Sequence, residues 1–157
     1  MNKTNAMRLL DAAGIPYRAR EHEYDESDLS GMHAAEQLQM DPDRIFKTLV
    51  TRGDKRGILV FCIPVSCSLD LKKAALAAGD KKVEMIHMRE LLGLTGYIRG
   101  GCSPIGMKKK YPTFIDETAI LYDAIGISAG KKGIQMLLSP KALMEYAQMT
   151  SADLVEC

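Results

Sequence analysis

Apolar and polar positions alternate along this chain with two different periods, and the changes between them mark the elements. Near the start, Ala6, Met7, Leu9, Leu10 and Ala13 recur at a helical spacing, with Thr4 placed to cap the first turn and Gly14 placed to end it. Ile15-Pro16 breaks out of that helix, and loose alternation over 17–24 predicts an exposed strand. Ser30 opens a second helix striped by Met32, Ala35 and Leu38, and Asp41-Pro42-Asp43 stops it.

The strongest β signal follows. Residues 45–51 and 58–63 are apolar and rich in β-branched residues, and the Gly53-Asp54-Lys55-Arg56-Gly57 turn between them predicts a hairpin near the middle of the sheet. Strict alternation puts Phe46, Thr48 and Val50 on one face and Ile45, Lys47 and Leu49 on the other. Lys47 therefore stands among apolar neighbours. It is either an edge residue whose ammonium reaches out to water or a pocket lysine facing an anion or a carbonyl.

Ser68 or Asp70 opens a third helix through Leu71, Ala74, Ala75 and Ala78, closed by Gly79. Residues 82–85 predict a short strand and 88–92 a short helix. Residues 111–115, 119–122, 125–128 and 134–138 predict further strands, and Ser139-Pro140 starts a last helix to about Gln148, with an edge strand over 152–155. Helices early, strands in meanders and no regular βαβ repeat predict an α+β fold with a mixed, strongly curved sheet. At 157 residues this is the length of one domain, spanning 1–157.

Residues 95–106, TGYIRGGCSPIG, fit neither period. Gly96, Gly100, Gly101 and Gly106, with Ser103 and Pro104, predict a shaped loop whose backbone can approach a ligand closely. Lys108-Lys109-Lys110 follows at once, and a second Gly/Lys stretch lies at Ser128-Ala129-Gly130-Lys131-Lys132-Gly133. Two such loops suggest one anionic ligand, although each lysine cluster also reads as a solvated turn.

Composition narrows the classes. Hydrophobic residues make up 46% and charged residues 26%, which favours neither disorder nor a membrane protein, and no apolar run approaches the ~20 residues that span a bilayer. The start carries no signal-like apolar segment, so a cytoplasmic location is expected. A net charge of +1 confines any nucleic-acid contact to a local patch. Cys62, Cys67, Cys102 and Cys157 have no zinc-like spacing and are expected as reduced thiols, and His22, His33 and His87 share no ligand spacing, so neither a metal nor a cofactor is expected.

The segments Phe46-Lys47-Thr48-Leu49, Leu69-Asp70-Leu71-Lys72-Lys73, Lys81-Lys82-Val83-Glu84-Met85, Thr95-Gly96-Tyr97, Gly100-Gly101-Cys102-Ser103-Pro104-Ile105-Gly106 and the second Gly/Lys loop occur in an order that resembles the YbaK/EbsC family. The resemblance covers almost the whole chain. It implies a barrel-like curved sheet with surrounding helices, and a free-standing relative of the editing domain of prolyl-tRNA synthetase that deacylates mischarged tRNA without a cofactor. The pattern looks closest to the branch that clears cysteine from tRNA for proline; clearing of alanine, or binding of charged tRNA or the synthetase without catalysis, are the alternatives. The implied partners are the 3′ end of mischarged tRNA and, transiently, prolyl-tRNA synthetase, with no membrane.

Residue by residue, the resemblance implies that Lys47 holds the 3′ end and that the Gly100 and Gly101 amides face the ester carbonyl. Thr48, Cys102, Ser103, Pro104, Ser128 and Gly130 are implied to line the pocket. Lys108, Lys109 and Lys131 are placed to contact tRNA phosphates. Cys102 reads as a small pocket residue or, without an adjacent histidine, less readily as a nucleophile. The chain departs from the cysteine branch at His22-Glu23-Tyr24-Asp25, at Ser30 and at Gln135, all near the implied pocket entrance.

Overall fold

The computed structural model describes residues 2–157. Local rules account for most of its helices. In α1 (Asn5–Ala12) the Thr4 hydroxyl accepts from the Met7 N–H and the Ala6, Met7, Leu10 face is buried. Ser30 caps α2 (Gly31–Leu38), Asp70 caps α3 (Leu71–Ala78) by accepting from Lys72 and Lys73 N–H, and Ser139 caps α5 (Pro140–Ala147). Between the last two lies the short α4 (Leu91–Thr95).

The strands are β1 (Tyr17–Glu21), β2 (Phe46–Gly53), β3 (Gly57–Pro64), β4 (Ser68–Leu69), β5 (Val83–Met85), β6 (Thr113–Asp116), β7 (Ile125–Ser128), β8 (Ile134–Leu138), β9 (Thr150–Ala152) and β10 (Val155–Glu156). They form a five-stranded sheet β5-β2-β3-β6-β9, a three-stranded sheet β1-β8-β7 and the pair β4-β10. The larger sheet is mixed, because β3–β6 and β6–β9 are parallel while the β2–β3 hairpin is antiparallel, in register from Phe46↔Pro64 to Gly53↔Gly57. The architecture is the expected mixed α+β arrangement.

A single parallel bridge between Ile45 and Gly126 joins the two main sheets at the entry to β2. Between them, with α1 and α5, packs the core that contains Met7, Leu10, Phe46, Ile115, Ile127 and Met136. The other face of β3 packs on α3 through Phe61, Leu59, Ala74 and Ala78, with the Phe61 and Phe114 rings stacked at 5.1 Å. β3 is covered on both sides, which is why its sequence reads as a continuous apolar run.

The paired edges of β2 explain where a ligand can enter. On the side away from β3, the chain bridges to β7 at Ile45, the residue before β2, and β2 pairs with β5 only from Thr51 onward. The intervening edge, residues 46–49, has no strand partner among the described residues and is left as an open notch.

Three expectations change. The expected strand over 119–122 is a 3-10 turn, Glu117–Leu121, because the Asp116 carboxylate accepts from both the N–H and the hydroxyl of Thr118 and starts a helical turn. Cys67 and Cys157 are not reduced thiols but a disulfide: the β4–β10 pairing brings together two residues 90 apart in sequence. The expected edge strand over 152–155 is replaced by β9 and β10, separated at Asp153-Leu154, where Leu154 is buried and its N–H donates to Asp116. No helix among the described residues is long and apolar enough to cross a membrane.

Candidate functional site

The notch opens into a cleft of about 330 Å³, within the range of sites that take a small ligand. Its floor is the free edge of β2, including Lys47 and Thr48. Lys47 shares the face of Leu49 and lies opposite Ile63, as the alternation predicts. It is half-buried, and no carboxylate pairs with it among the described residues. Burial pushes its ammonium below the usual lysine range.

One wall is the glycine loop. Its base is closed by the Lys108 N–H donating to the Thr95 carbonyl at 3.0 Å, and the Thr95 hydroxyl joins Leu91 to the Tyr97 N–H. Inside that frame Gly100 adopts φ 85°, which brings its backbone to the cleft beside Leu29. Gly101 turns away from the cleft against the second Gly/Lys loop: a Cβ there would stand 3.2 Å from Lys131 Cα and 3.2 Å from Lys132 N. The two glycine-rich segments are packed into one unit.

Of the residues anticipated from sequence, Lys47, Thr48, Gly100, Cys102 and Ser128 line the cleft together. Ser103, Gly101 and Gly130 stand behind it. Ser103 is fully buried and its hydroxyl accepts from Ile105 N–H, while Gly130 donates to the Ser128 hydroxyl and lies under the Tyr97 ring. Pro104, with Lys109, Lys110, Tyr111 and Tyr146, borders a separate groove on the far side of the loop. The aliphatic part of Lys108 covers Gly96, and Lys110 is hydrogen-bonded to Gln148. Lys131 is exposed beside the cleft, whereas its neighbour Lys132, which the sequence did not single out, lines it and pairs with Glu26 at 2.8 Å.

Other lining residues also escaped the sequence reading. Leu29, Met88 and Arg99 come from the α2 approach, the turn before α4 and the glycine loop, and no spacing connects them. The departures at His22, Ser30 and Gln135 all fall on the cleft wall. No cluster of three or more His, Cys, Asp or Glu side chains suited to a metal occurs among the described residues.

Cys102 is poorly suited to attack. Burial pushes its thiol up to about 12, so it is protonated at neutral pH, and the two serines that share the cleft with it, Ser30 and Ser128, each accept a hydrogen bond from a backbone amide and have no basic partner. The cleft thus offers a desolvated cation and backbone groups without an activated thiolate.

Residues 30–146 match the model of the aminoacyl-tRNA editing domain. The chain belongs to this family. Within it, the chain is 49% identical over 156 residues to the EbsC protein of Enterococcus faecalis, provisionally named a Cys-tRNA(Pro)/Cys-tRNA(Cys) deacylase, covering 96% of this chain and 95% of that one. It is 26% identical over 125 residues to the uncharacterised YwhH protein of Bacillus subtilis, covering 80% and 79% of the two chains. A crystal structure described as a candidate trans-editing enzyme for prolyl-tRNA synthetase superposes with a TM-score of 0.84 at 26% identity over the full length of both chains. Membership of the editing family gives the cleft its context: the family match spans β2, the glycine loop and the second Gly/Lys loop.

Proposed function

We propose that this protein is a trans-acting aminoacyl-tRNA deacylase that releases cysteine from mischarged tRNA for proline. The observation that carries this reading is the unpaired, half-buried Lys47 in one cleft with the Gly100 backbone, in a chain 49% identical to EbsC. A lysine held there at a cost in solvation is suited to an anionic or carbonyl oxygen, and the terminal ribose ester and phosphate of a charged tRNA present both.

The step that suits these residues is substrate-assisted. The cysteine thiol sulfur forms a bond to its own ester carbonyl carbon, the bond from that carbon to the ribose oxygen breaks, and the thiol proton ends on the ribose oxygen. The products are a β-thiolactone and free tRNA. Lys47 and the loop backbone orient the ester and stabilise the developing oxyanion, and no protein nucleophile is consumed. Lys131 and Lys108–Lys109 flank the cleft and its neighbouring groove as phosphate contacts for the acceptor end, and the net charge of +1 suits weak tRNA binding that a transient complex with prolyl-tRNA synthetase strengthens.

One observation favours a second reading, hydrolysis by water as in the clearing of alanine: the His33 imidazole, its Nδ1 3.7 Å from the Asp28 carboxylate, lines the same cleft and offers a base for a water molecule. The two are separated with S-methylcysteinyl-tRNA(Pro), whose sulfur is blocked. The thiolactone route predicts no turnover of that ester and a thiolactone product from the unblocked one. Release of free S-methylcysteine at a comparable rate would assign the reaction to water.

A further inference from the structure

Two buried acceptor atoms, on side chains that line the cleft, have no donor. The His22 Nδ1–H donates to the Glu23 carbonyl at 2.9 Å, so in the neutral ring Nε2 carries the lone pair, and that buried nitrogen has no partner among the described residues. Gln135 is only 8% exposed, yet its Oε1 is likewise buried and unpartnered. Both side chains line the cleft.

Strand pairing places them side by side. Gln135 on β8 lies opposite Arg20 on β1 and opposite Ser128 on β7, so these three share a face. His22 follows Arg20 by two residues, on the same side, and its N–H continues the ladder to the Gly133 carbonyl. The two nearest cations are turned to other partners, Arg20 Nη2 donating to the Leu38 carbonyl and Lys132 pairing with Glu26, and neither Arg20, Lys132 nor the Ser128 hydroxyl bonds these acceptors. Buried acceptors without donors cost free energy that a ligand's N–H groups would recover.

The cleft is therefore polar in a directional sense. Lys47, a cation without a carboxylate partner, stands on β2, and the two neutral acceptors stand just past the end of β1 and on β8. A ligand that places a carbonyl or phosphate oxygen toward Lys47 must keep its own positive charge away from that ammonium. We propose that His22 Nε2 and Gln135 Oε1 receive the α-ammonium group of the aminoacyl ester, which makes them specificity-determining residues. This assignment rests on the deacylase reading above. It goes further in requiring a free α-amine, so that esters whose nitrogen is acylated, as in peptidyl-tRNA, lack the positive charge and two of the three N–H donors.

The test uses two non-cleavable mimics of the 3′ end: 3′-deoxy-3′-(cysteinylamido)adenosine and its counterpart without the amine, 3′-deoxy-3′-(3-mercaptopropionylamido)adenosine. Isothermal titration measures both against wild type, Gln135→Met, His22→Phe and Gln135→Glu, with thermal melts confirming that each variant folds. Wild type is expected to prefer the amine-bearing mimic by about tenfold or more. Gln135→Met and His22→Phe should each reduce that preference by roughly threefold or more with little change toward the other mimic, and Gln135→Glu, which keeps an acceptor, should preserve or widen it. Equal binding of the two mimics by wild type, or equal weakening of both by Gln135→Met, overturns the proposal. A wild type that deacylates Cys-tRNA(Pro) yet does not distinguish the mimics overturns the amine assignment alone; one that neither deacylates it nor binds either mimic overturns the deacylase reading as well.

Discussion

Gly101 lies against the backbone of Lys131 so closely that a methyl group on it would stand 3.2 Å from the Lys131 Cα and carbonyl carbon. This contact locks the glycine loop to the second Gly/Lys loop, and through it Gly100 and Ser128 hold their places on the cleft wall. Gly101→Ala must push the two backbones apart by a few tenths of an ångström. The expected result is a loss of about 1–3 kcal/mol in stability and roughly tenfold in kcat/KM, because small displacements of an orienting loop are costly to reaction. A melt and a deacylation assay on the same preparation check both; unchanged activity would show that the loop contact does not position the site.

Lys47 is expected to be kept at the expense of stability. Burial lowers its pKa from 10.5, so between the lowered value and 10.5 the unfolded chain holds a proton that the folded chain has shed, and stability rises with pH across that window. Below the window both states are protonated and the solvation penalty is present in full. Lys47→Met should therefore be more stable than wild type at pH 7, with the advantage shrinking as pH rises toward 10.5. Urea titrations at both pH values measure it. A destabilised Lys47→Met would mean that the lysine is structural.

Cys102 is predicted to be dispensable as a nucleophile. With its thiol pushed up to about 12 by burial, Cys102→Ala should retain kcat/KM for a cysteinyl ester within about threefold, and native wild-type Cys102 should resist iodoacetamide at pH 7. Abolition of turnover by Cys102→Ala, with the fold intact, would reassign it.

The disulfide fixes the end of the chain. Closing a loop across a sequence separation of 90 between Cys67 and Cys157 is expected to stabilise the fold by about 2–4 kcal/mol, so Cys157→Ser should lower Tm by several degrees. Thiol titration of the oxidised, denatured protein should find two free groups, Cys62 and Cys102, and four after reduction.

The sequence makes the local decisions visible. Thr4, Ser30, Asp70 and Ser139 cap the helices they were expected to cap, and the hairpin register and the face of Lys47 follow from alternation. What it conceals depends on contacts between distant segments. The Cys67–Cys157 bond requires β10 to pair with β4, and Asp116 turns 117–121 into a helical turn only because its carboxylate bonds Thr118. The cleft residues Leu29, Met88 and Arg99 meet only once the two sheets are joined at Ile45–Gly126 and the edge of β2 beside that bridge is left open. Gln135 and His22 were legible as departures from a pattern, but their unpartnered atoms are visible only in three dimensions.

The account stands most directly on the deacylation of Cys-tRNA(Pro), Ala-tRNA(Pro) and Pro-tRNA(Pro), measured in parallel with wild type and Lys47→Ala. It predicts that wild type releases the cysteinyl ester in clear preference to the other two and that Lys47→Ala loses this activity by about a hundredfold or more while remaining folded. Wild type that turns over none of the three esters, or a Lys47→Ala variant as active as wild type, would contradict it.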